Sequence, residues 1–322
     1  MSLGDWVNAS QATFEIELGL LNLEYTLDCG QAFRWRRDTD GWWTGVVRGH
    51  IVRLRRDGAT INGQVYPPVA ETDAFLSSYL RLDVDLRQLC QRFAEVDPWI
   101  SAAVSAFAGL RVLNQEPQET LLSYVCSAAN SVPRISRSVE EMSRRYGEFV
   151  GCLEDTDYYA FPTPDRLAAA PMEVLANECG LGWRAAILKR VAAEVVGRPE
   201  GWPEQLRRLP YREARAMLME LRGIGAKIAD CVCLFALGKD EAVPVDTHIW
   251  AVAREIFRCK IATRTLSPAT YETVASMFVE RYGGLAGWAQ EYFYLQRRAA
   301  QGRVAWADED TQLPSPFGRW PG

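Results

Sequence analysis

Two glycines one residue apart stand between apolar-faced segments in Leu221-Arg-Gly-Ile-Gly-Ala-Lys227. Before them Ala214, Met217, Leu218 and Leu221 share one helical face; after them Ile228, Val232 and Phe235 share another. Gly223 and Gly225 permit positive φ and place no side chain over the turn, so an anionic oxygen can reach its N–H groups. Those amides open the second helix, whose dipole also favours an anion. Such a turn can hold a phosphate without a basic side chain; read more simply, it is a helix–helix connection containing glycines. Lys227 adds an amine at the start of the second helix. Nineteen positions later, Asp246 adds a carboxylate within Val243-Pro-Val-Asp-Thr-His248. Taken singly, Lys227 reads as a solvated first-turn lysine and Asp246 as the N-cap of the helix that follows.

The elements that must position these groups change character along the chain. Residues 13–18 alternate apolar and polar side chains. Short aromatic or β-branched runs follow at 31–36, 42–48, 50–55 and 60–65, divided by Asp38-Thr-Asp-Gly41 and Gly49. This pattern predicts a meander of antiparallel strands. After Pro67-Pro68 the apolar period turns helical, with Phe75, Tyr79, Leu80, Leu86, Leu89 and Phe93. From Pro98 onward the sequence predicts helices only, near 99–108, 117–129, 133–146, 171–178, 184–197, 211–222, 226–238, 246–258, 268–281 and 286–299, broken by Gly or Pro. The expected architecture is α+β: an antiparallel-sheet domain with flanking helices over 10–97, an all-helical domain over 98–302, and a loose tail over 303–322.

Composition narrows the function classes. A chain of 322 residues, 48% hydrophobic and 24% charged, has the length and make-up of a two-domain globular protein. Residues 1–10 carry neither a basic n-region nor an apolar run, and no stretch is apolar enough to span a membrane, so an intracellular protein is expected. The eight cysteines include no C-x-x-C pair, and the two histidines, His50 and His248, lack metal-ligand spacing. Reduced thiols and no bound metal are therefore expected. The net charge of −5 argues against nonspecific coating of nucleic acid. It is unevenly spread: residues 181–227 hold ten Lys and Arg against five Asp and Glu, a net of +5, leaving −10 for the rest.

Gly-Ile-Gly between two such helices resembles the helix-hairpin-helix motif, with the pattern L-x-G-[IV]-G. Together with Asp246 it is similar to the hairpin and Gly/Pro-Asp loop of the helix-hairpin-helix DNA glycosylase superfamily. Lys227 places the resemblance among members that use a covalent amine. The chemistry it implies is cleavage of an N-glycosidic bond. Positive charge builds on the sugar as the base leaves, and the Asp246 carboxylate would stabilise it. The Lys227 amine, once neutral, would displace the base and form a Schiff base with the opened sugar. β-Elimination of the 3′ phosphate would nick the strand, with Asp246 relaying a proton.

Over roughly 13–300 the chain most resembles the 8-oxoguanine DNA glycosylases. Gly30-Gln-Ala-Phe-Arg-Trp35 is similar to that family's Gly-Gln-Ser-Phe-Arg-Trp segment, implying that the Gly30 carbonyl accepts the N7–H that guanine lacks; a strand-end bulge would equally account for the glycine. Gly287-Trp-Ala-Gln290 resembles the late pocket helix, implying that Gln290 reads the Watson–Crick edge and that Tyr294, where the family usually has Phe, stacks on the base. Both also suit one face of a packed helix. Cys231 would lie against the other side of the base or act as a small core hydrophobe. His248 would contact a phosphate beside the lesion. Cys126-Ser-Ala-Ala-Asn130-Ser-Val-Pro-Arg134 resembles the family's Asn-rich turn, with Ala129 in place of its first Asn; Asn130 and Arg134 remain as DNA-binding residues. Gly180-Leu-Gly-Trp183-Arg184 resembles the other half, with Trp183 as the wedge instead of Tyr, or as a core residue, and Arg184 as donor to the estranged cytosine. Only Cys259 follows Asp246, so the iron–sulfur branch is not expected. The resemblance implies duplex DNA carrying an oxidised purine as partner, a monomer, and no cofactor beyond a monovalent cation at the hairpin. A glycosylase for alkylated purines and a non-catalytic helix-hairpin-helix DNA-binding protein are the alternatives.

Overall fold

The computed structural model describes residues 9–257 and 266–302. The expected tail over 303–322, Cys259 and the end of the helix expected over 246–258 lie outside the described residues. The chain opens with β1 (Ser10–Glu15) and a short helix α1 (Leu23–Leu27). Strands β2 (Arg36–Arg37), β3 (Trp43–Val47), β4 (His50–Asp57) and β5 (Thr60–Tyr66) follow. They form one antiparallel sheet in the order β1-β5-β4-β3-β2. On β5 the alternation is clean: Ile61, Gly63 and Val65 are buried and their neighbours half-buried. Helix α2 (Thr72–Leu80) covers that face with Leu76, while α3 (Leu86–Val96) and α4 (Pro98–Ala106) lead away from the sheet.

The strand expected over 31–36 is confined to Arg36–Arg37. Its aromatic run is a buried loop in which one side chain replaces a strand partner. Gln31 Nε2 donates to Thr26 O and Arg111 O, both at 2.8 Å, and its Oε1 accepts from Leu113 N at 2.8 Å. Satisfied in this way, the loop needs no neighbouring strand.

The helical part continues with α5 (Pro117–Val125) and α6 (Val132–Tyr146). Contrary to the all-helical expectation, a hairpin of β6 (Phe149–Leu153) and β7 (Thr156–Tyr159) interrupts it. Its two-residue turn is Glu154-Asp155, both at positive φ (48° and 61°), the twist a tight hairpin requires but without the glycine that usually marks it. Then come α7 (Pro164–Ala169), a π turn over Val174–Glu178 within the helix expected at 171–178, α8 (Arg184–Val196) and α9 (Trp202–Gln205) with a 3-10 turn at Leu206–Arg208. Next are α10 (Tyr211–Met219), α11 (Ala226–Ala236), α12 (Thr247–Glu255), α13 (Pro268–Tyr282) and α14 (Ala286–Ala300).

Buried apolar residues form two clusters. The smaller joins the sheet to α1 and α2. The larger runs through α4–α14 and takes in Leu86, Leu89 and Phe93 of α3, so helical packing begins before Pro98. Cys29 and Phe33 of the first loop also enter it, which ties the Gly30 turn to the helices. No helix of the described residues is long and apolar enough to cross a membrane.

Candidate active site

The α10–α11 connection is a tight hairpin. Leu221 N donates to Leu218 O (3.2 Å), Ile224 N donates to Leu221 O (3.0 Å), and both Leu221 and Ile224 are buried. Its two glycines serve different needs. Gly223 has φ +115°, and a Cβ there would lie 2.6 Å from Ile187 Cγ2 on α8. Gly225, expected also to use positive φ, instead caps α11 at φ −96°, and a Cβ there would meet only open space. Gly223 is thus fixed by conformation and packing. Gly225 keeps the N-terminus of α11 uncovered.

On α11, Lys227 and Cys231 are one turn apart and share a face. An adjacent side of the helix is anchored through Asp230, which is fully buried. Its carboxylate accepts from Tyr211 Oη (2.7 Å) on α10, Arg215 Nε (2.9 Å) and Tyr271 Oη (2.6 Å) on α13. Tyr271 Oη in turn accepts from Val245 N at 3.2 Å, directly before Asp246. One buried carboxylate therefore fixes α11 relative to the loop that carries Asp246. Asp246 caps α12 as expected, its Oδ1 accepting from His248 N (2.8 Å) and Ile249 N (2.9 Å). Opposite, Gly287 admits α14 against residues 240–242, and its N–H donates to Asp240 O at 2.8 Å.

These elements enclose a cavity of about 50 Å³, lined by Gly30, Lys227, Cys231, Asp246, Gln290 and Tyr294. All six residues expected to do chemistry or hold the base, spread over 265 positions of chain, share this wall. Five further lining residues were not anticipated: Gln31, Tyr124, Phe235, Pro244 and Glu291. Tyr124 Oη donates to Gln31 O at 3.1 Å and its ring stacks on Phe235, tying the Gly30 loop to α5 and α11. Gln31 lay within a motif already singled out, and Glu291 adjoins Gln290, but only tertiary packing shows that they face the same space. Lys227 is half-buried, with Nζ 3.5 Å from Ser127 Oγ. The sequence has four lysines, and the other two among the described residues, Lys189 and Lys239, bond backbone carbonyls away from the cavity. Burial pushes the Cys231 thiol well above its usual range, so it meets a ligand as a neutral S–H. The Gln290 side chain is buried and its Oε1 has no partner. Gly30 sits at φ +101°, where a Cβ would come within 2.9 Å of Arg298 Nη1. Arg298 Nη1 donates to Cys29 O and Asp28 O, fixing that turn from α14.

The residues expected to read the duplex lie outside the cavity. Trp183 is 59% exposed, which removes the core reading. The Arg184 guanidinium lies 4.7 Å from the Trp183 ring, while Nε and Nη2 donate to Ala128 O (2.6 Å) and Ala129 O (2.7 Å). Ala129 is itself held at φ +48°. Asn130 Nδ2 donates to Cys126 O at 3.0 Å, closing the end of α5, and Arg134 is exposed. The His248 ring packs edge-on against Tyr294, with centroids 5.5 Å apart. Among the described residues, no group of three or more His, Cys, Asp or Glu could hold a metal ion.

Comparison with known proteins matches this architecture at both levels. The 8-oxoguanine DNA glycosylase N-terminal domain matches residues 13–121, and the HhH-GPD superfamily base excision DNA repair protein model matches residues 122–275. An N-glycosylase/DNA lyase from Arabidopsis thaliana is 32% identical over 290 residues, covering 87% of this chain and 78% of the relative. The chain belongs to the 8-oxoguanine DNA glycosylase family. An N-glycosylase/DNA lyase of Saccharomyces cerevisiae is 30% identical, covering 85% of this chain and 82% of its own. Among solved structures, the Clostridium acetobutylicum 8-oxoguanine glycosylase/lyase bound to duplex DNA with cytosine opposite 8-oxoguanine aligns with TM-score 0.78 at 28% identity. That alignment covers 87% of this chain and 93% of the other. As a family member, the chain is a bifunctional DNA glycosylase and lyase of the helix-hairpin-helix class.

Proposed function

We propose that this chain excises 8-oxoguanine from duplex DNA and nicks the resulting abasic site through a Schiff base on Lys227. The observation that carries the reading is the cavity itself, where one lysine and one helix-capping carboxylate face a wall with a buried, unpartnered amide oxygen. The extruded base enters this space. Gln290 Oε1 accepts from its Watson–Crick N–H groups, the Gly30 carbonyl accepts from N7–H, and Tyr294 and Cys231 take its two faces. As the N-glycosidic bond breaks, Asp246 stabilises the positive charge at C1′; its two bonds from α12 amides hold the carboxylate in place. The neutral Lys227 amine bonds C1′, and the base departs with the bonding pair and a proton. Ring opening gives the imine, loss of a C2′ proton expels the 3′ phosphate, and water releases the enzyme.

Outside the cavity, the exposed Trp183 enters the duplex at the vacated position, and Arg184, Asn130 and Arg134 face the unpaired base and its strand. Gly223 and Gly225 let phosphate reach the α11 amides, and His248 takes a phosphate next to the lesion. To a monovalent cation the hairpin turn offers main-chain oxygens, one of which, Leu221 O, already accepts from Ile224 N; no step here depends on a cation. The chain acts as a monomer within the cell.

The test is single-turnover cleavage of duplexes holding 8-oxoguanine opposite each base, alongside an alkylated-purine duplex. Excision and nicking of 8-oxoguanine, strongest opposite cytosine, is the expected result. Cleavage of the alkylated duplex alone, or duplex binding with no cleavage, would overturn the proposal in favour of an alkylpurine enzyme or a DNA-binding module respectively.

A further inference from the structure

Two neighbouring residues of α14 carry side-chain oxygens that are buried without a partner, Gln290 Oε1 and Glu291 Oε1. The first has a use in reading the Watson–Crick edge. The second has none in the chemistry above, yet Glu291 is 1% exposed and lines the same cavity. The Cys29 thiol and the Arg298 charge reach its carboxyl, but an Oε1 left without a partner is costly to bury unless something that enters the cavity completes it. Its surroundings locate the edge it serves. Arg298, two turns along α14, lies beside Glu291, but its Nη1 donates to Cys29 O and Asp28 O in the turn carrying Gly30. A Cβ on Gly30 would lie 2.9 Å from Arg298 Nη1 and 3.5 Å from Tyr294 Oη. Residues 291, 294 and 298 thus run along the side of α14 that faces the Gly30 turn.

We propose that Glu291 is a second reader of the lesion, its carboxyl pairing with the N7–H/C8=O edge of the extruded 8-oxopurine beside the Gly30 carbonyl. The inference rests on the assignment of 8-oxoguanine above. Guanine differs from 8-oxoguanine at this edge, presenting a lone pair at N7 and C–H at C8. An ionised carboxylate accepts the N7–H of the lesion and repels the N7 lone pair of guanine. A protonated carboxyl carries an O–H that guanine N7 can accept, so discrimination weakens as Glu291 takes up a proton.

Burial raises the Glu291 carboxyl to about 7, opposed by the Cys29 thiol and the Arg298 charge and reinforced by Asp246. The other groups facing it are Tyr294, Tyr124 and Cys231, with Lys227 lining the same cavity. Burial pushes the Cys29 and Cys231 thiols and the two phenols upward, away from this window. The sign follows: preference for 8-oxoguanine over guanine rises between pH 6 and pH 8.

The test measures Kd for duplexes holding 8-oxoguanine or guanine opposite cytosine. It uses Lys227→Gln protein, which cannot turn over and has lost the one amine in the cavity. The preference should rise severalfold from pH 6 to pH 8. Adding Glu291→Leu should cut the pH 8 preference at least tenfold. Adding Glu291→Gln, the conservative change least disturbing to folding, should leave a preference that no longer depends on pH. A preference unchanged in Glu291→Leu, or a pH dependence that survives in Glu291→Gln, overturns the proposal. Failure of the unsubstituted chain to excise 8-oxoguanine would instead strike the underlying assignment.

Discussion

The cavity walls and the duplex-facing turns satisfy their polar groups in opposite ways. In the cavity, α14 presents buried oxygens with no partner in the protein, and the backbone around them is fixed by Arg298, Asp230 and Tyr124. In the turns at 126–131 and 180–184, Arg184 donates to Ala128 O, Ala129 O and Leu181 O, and Asn130 closes the end of α5. The cavity therefore holds preset acceptors without donors, which suits the proposed base pocket. The turns are closed on themselves and, in the proposed role, would exchange internal hydrogen bonds for DNA ones. Each such exchange is worth little net energy, so under the proposed function the turns would add selectivity at low affinity cost and the pocket would supply the strong preference for one base.

The difference can be broken experimentally, starting where the effect is largest. Lys227→Gln should slow single-turnover excision by at least roughly 10³-fold, since it removes the covalent step, and leave the thermal midpoint nearly unchanged because Lys227 has a single long bond to Ser127. Asp246→Asn should slow excision by roughly 10²- to 10³-fold. Asn also caps helices well, so the melting transition should hold; a matching loss of stability would mean that Asp246 serves α12 alone. Arg184→Ala should cost about 1–3 kcal/mol of discrimination for cytosine as the opposite base, read as a ratio of excision rates across the four pairings, with chemistry in the cavity intact. The hairpin glycines give the finest contrast. Gly223→Ala should lower unfolding stability by about 1–3 kcal/mol from backbone strain and the clash with Ile187. Gly225→Ala should leave stability within about 1 kcal/mol and weaken duplex affinity by less than about tenfold.

What was legible in the sequence tracks how locally each feature is encoded. Lys227, Cys231 and the two glycines lie within a dozen residues, and Asp246 announces itself as a helix cap; the six residues expected in the pocket do line one cavity. Most strands and helices follow from side-chain period, but the sheet order does not: β2 to β5 form the expected meander, whereas β1 pairs with β5 and not with β2. Features held by tertiary partners were hidden. The loop after Gly30 looks like a strand because its aromatic residues are buried, and only the Gln31 side chain, bonded to residues near 111, shows otherwise. The β6–β7 hairpin was missed because Glu154-Asp155 adopts positive φ without glycine. Glu291 was missed because a helical Glu next to a pocket residue is ordinarily solvent-facing, and the packing of the Gly30 turn against α14 reverses that.

The charge distribution joins the two regions. The segment 181–227, spanning the exposed Trp183, Arg184 and the hairpin, carries +5 while the rest of the chain carries −10. If phosphate is held as proposed, through α11 amides and a few cations, duplex affinity should show a shallow salt dependence, in keeping with few neutralised phosphates.

The most direct test of the central claim is to map the covalent intermediate. Borohydride reduction during reaction with an 8-oxoguanine duplex, followed by proteolysis and mass analysis, assigns the adduct to one of four lysines, at 189, 227, 239 and 260. The DNA-linked peptide should contain Lys227, and no adduct should form in Lys227→Gln. An adduct on Lys189, Lys239 or Lys260, or trapping that persists in Lys227→Gln, would contradict that claim.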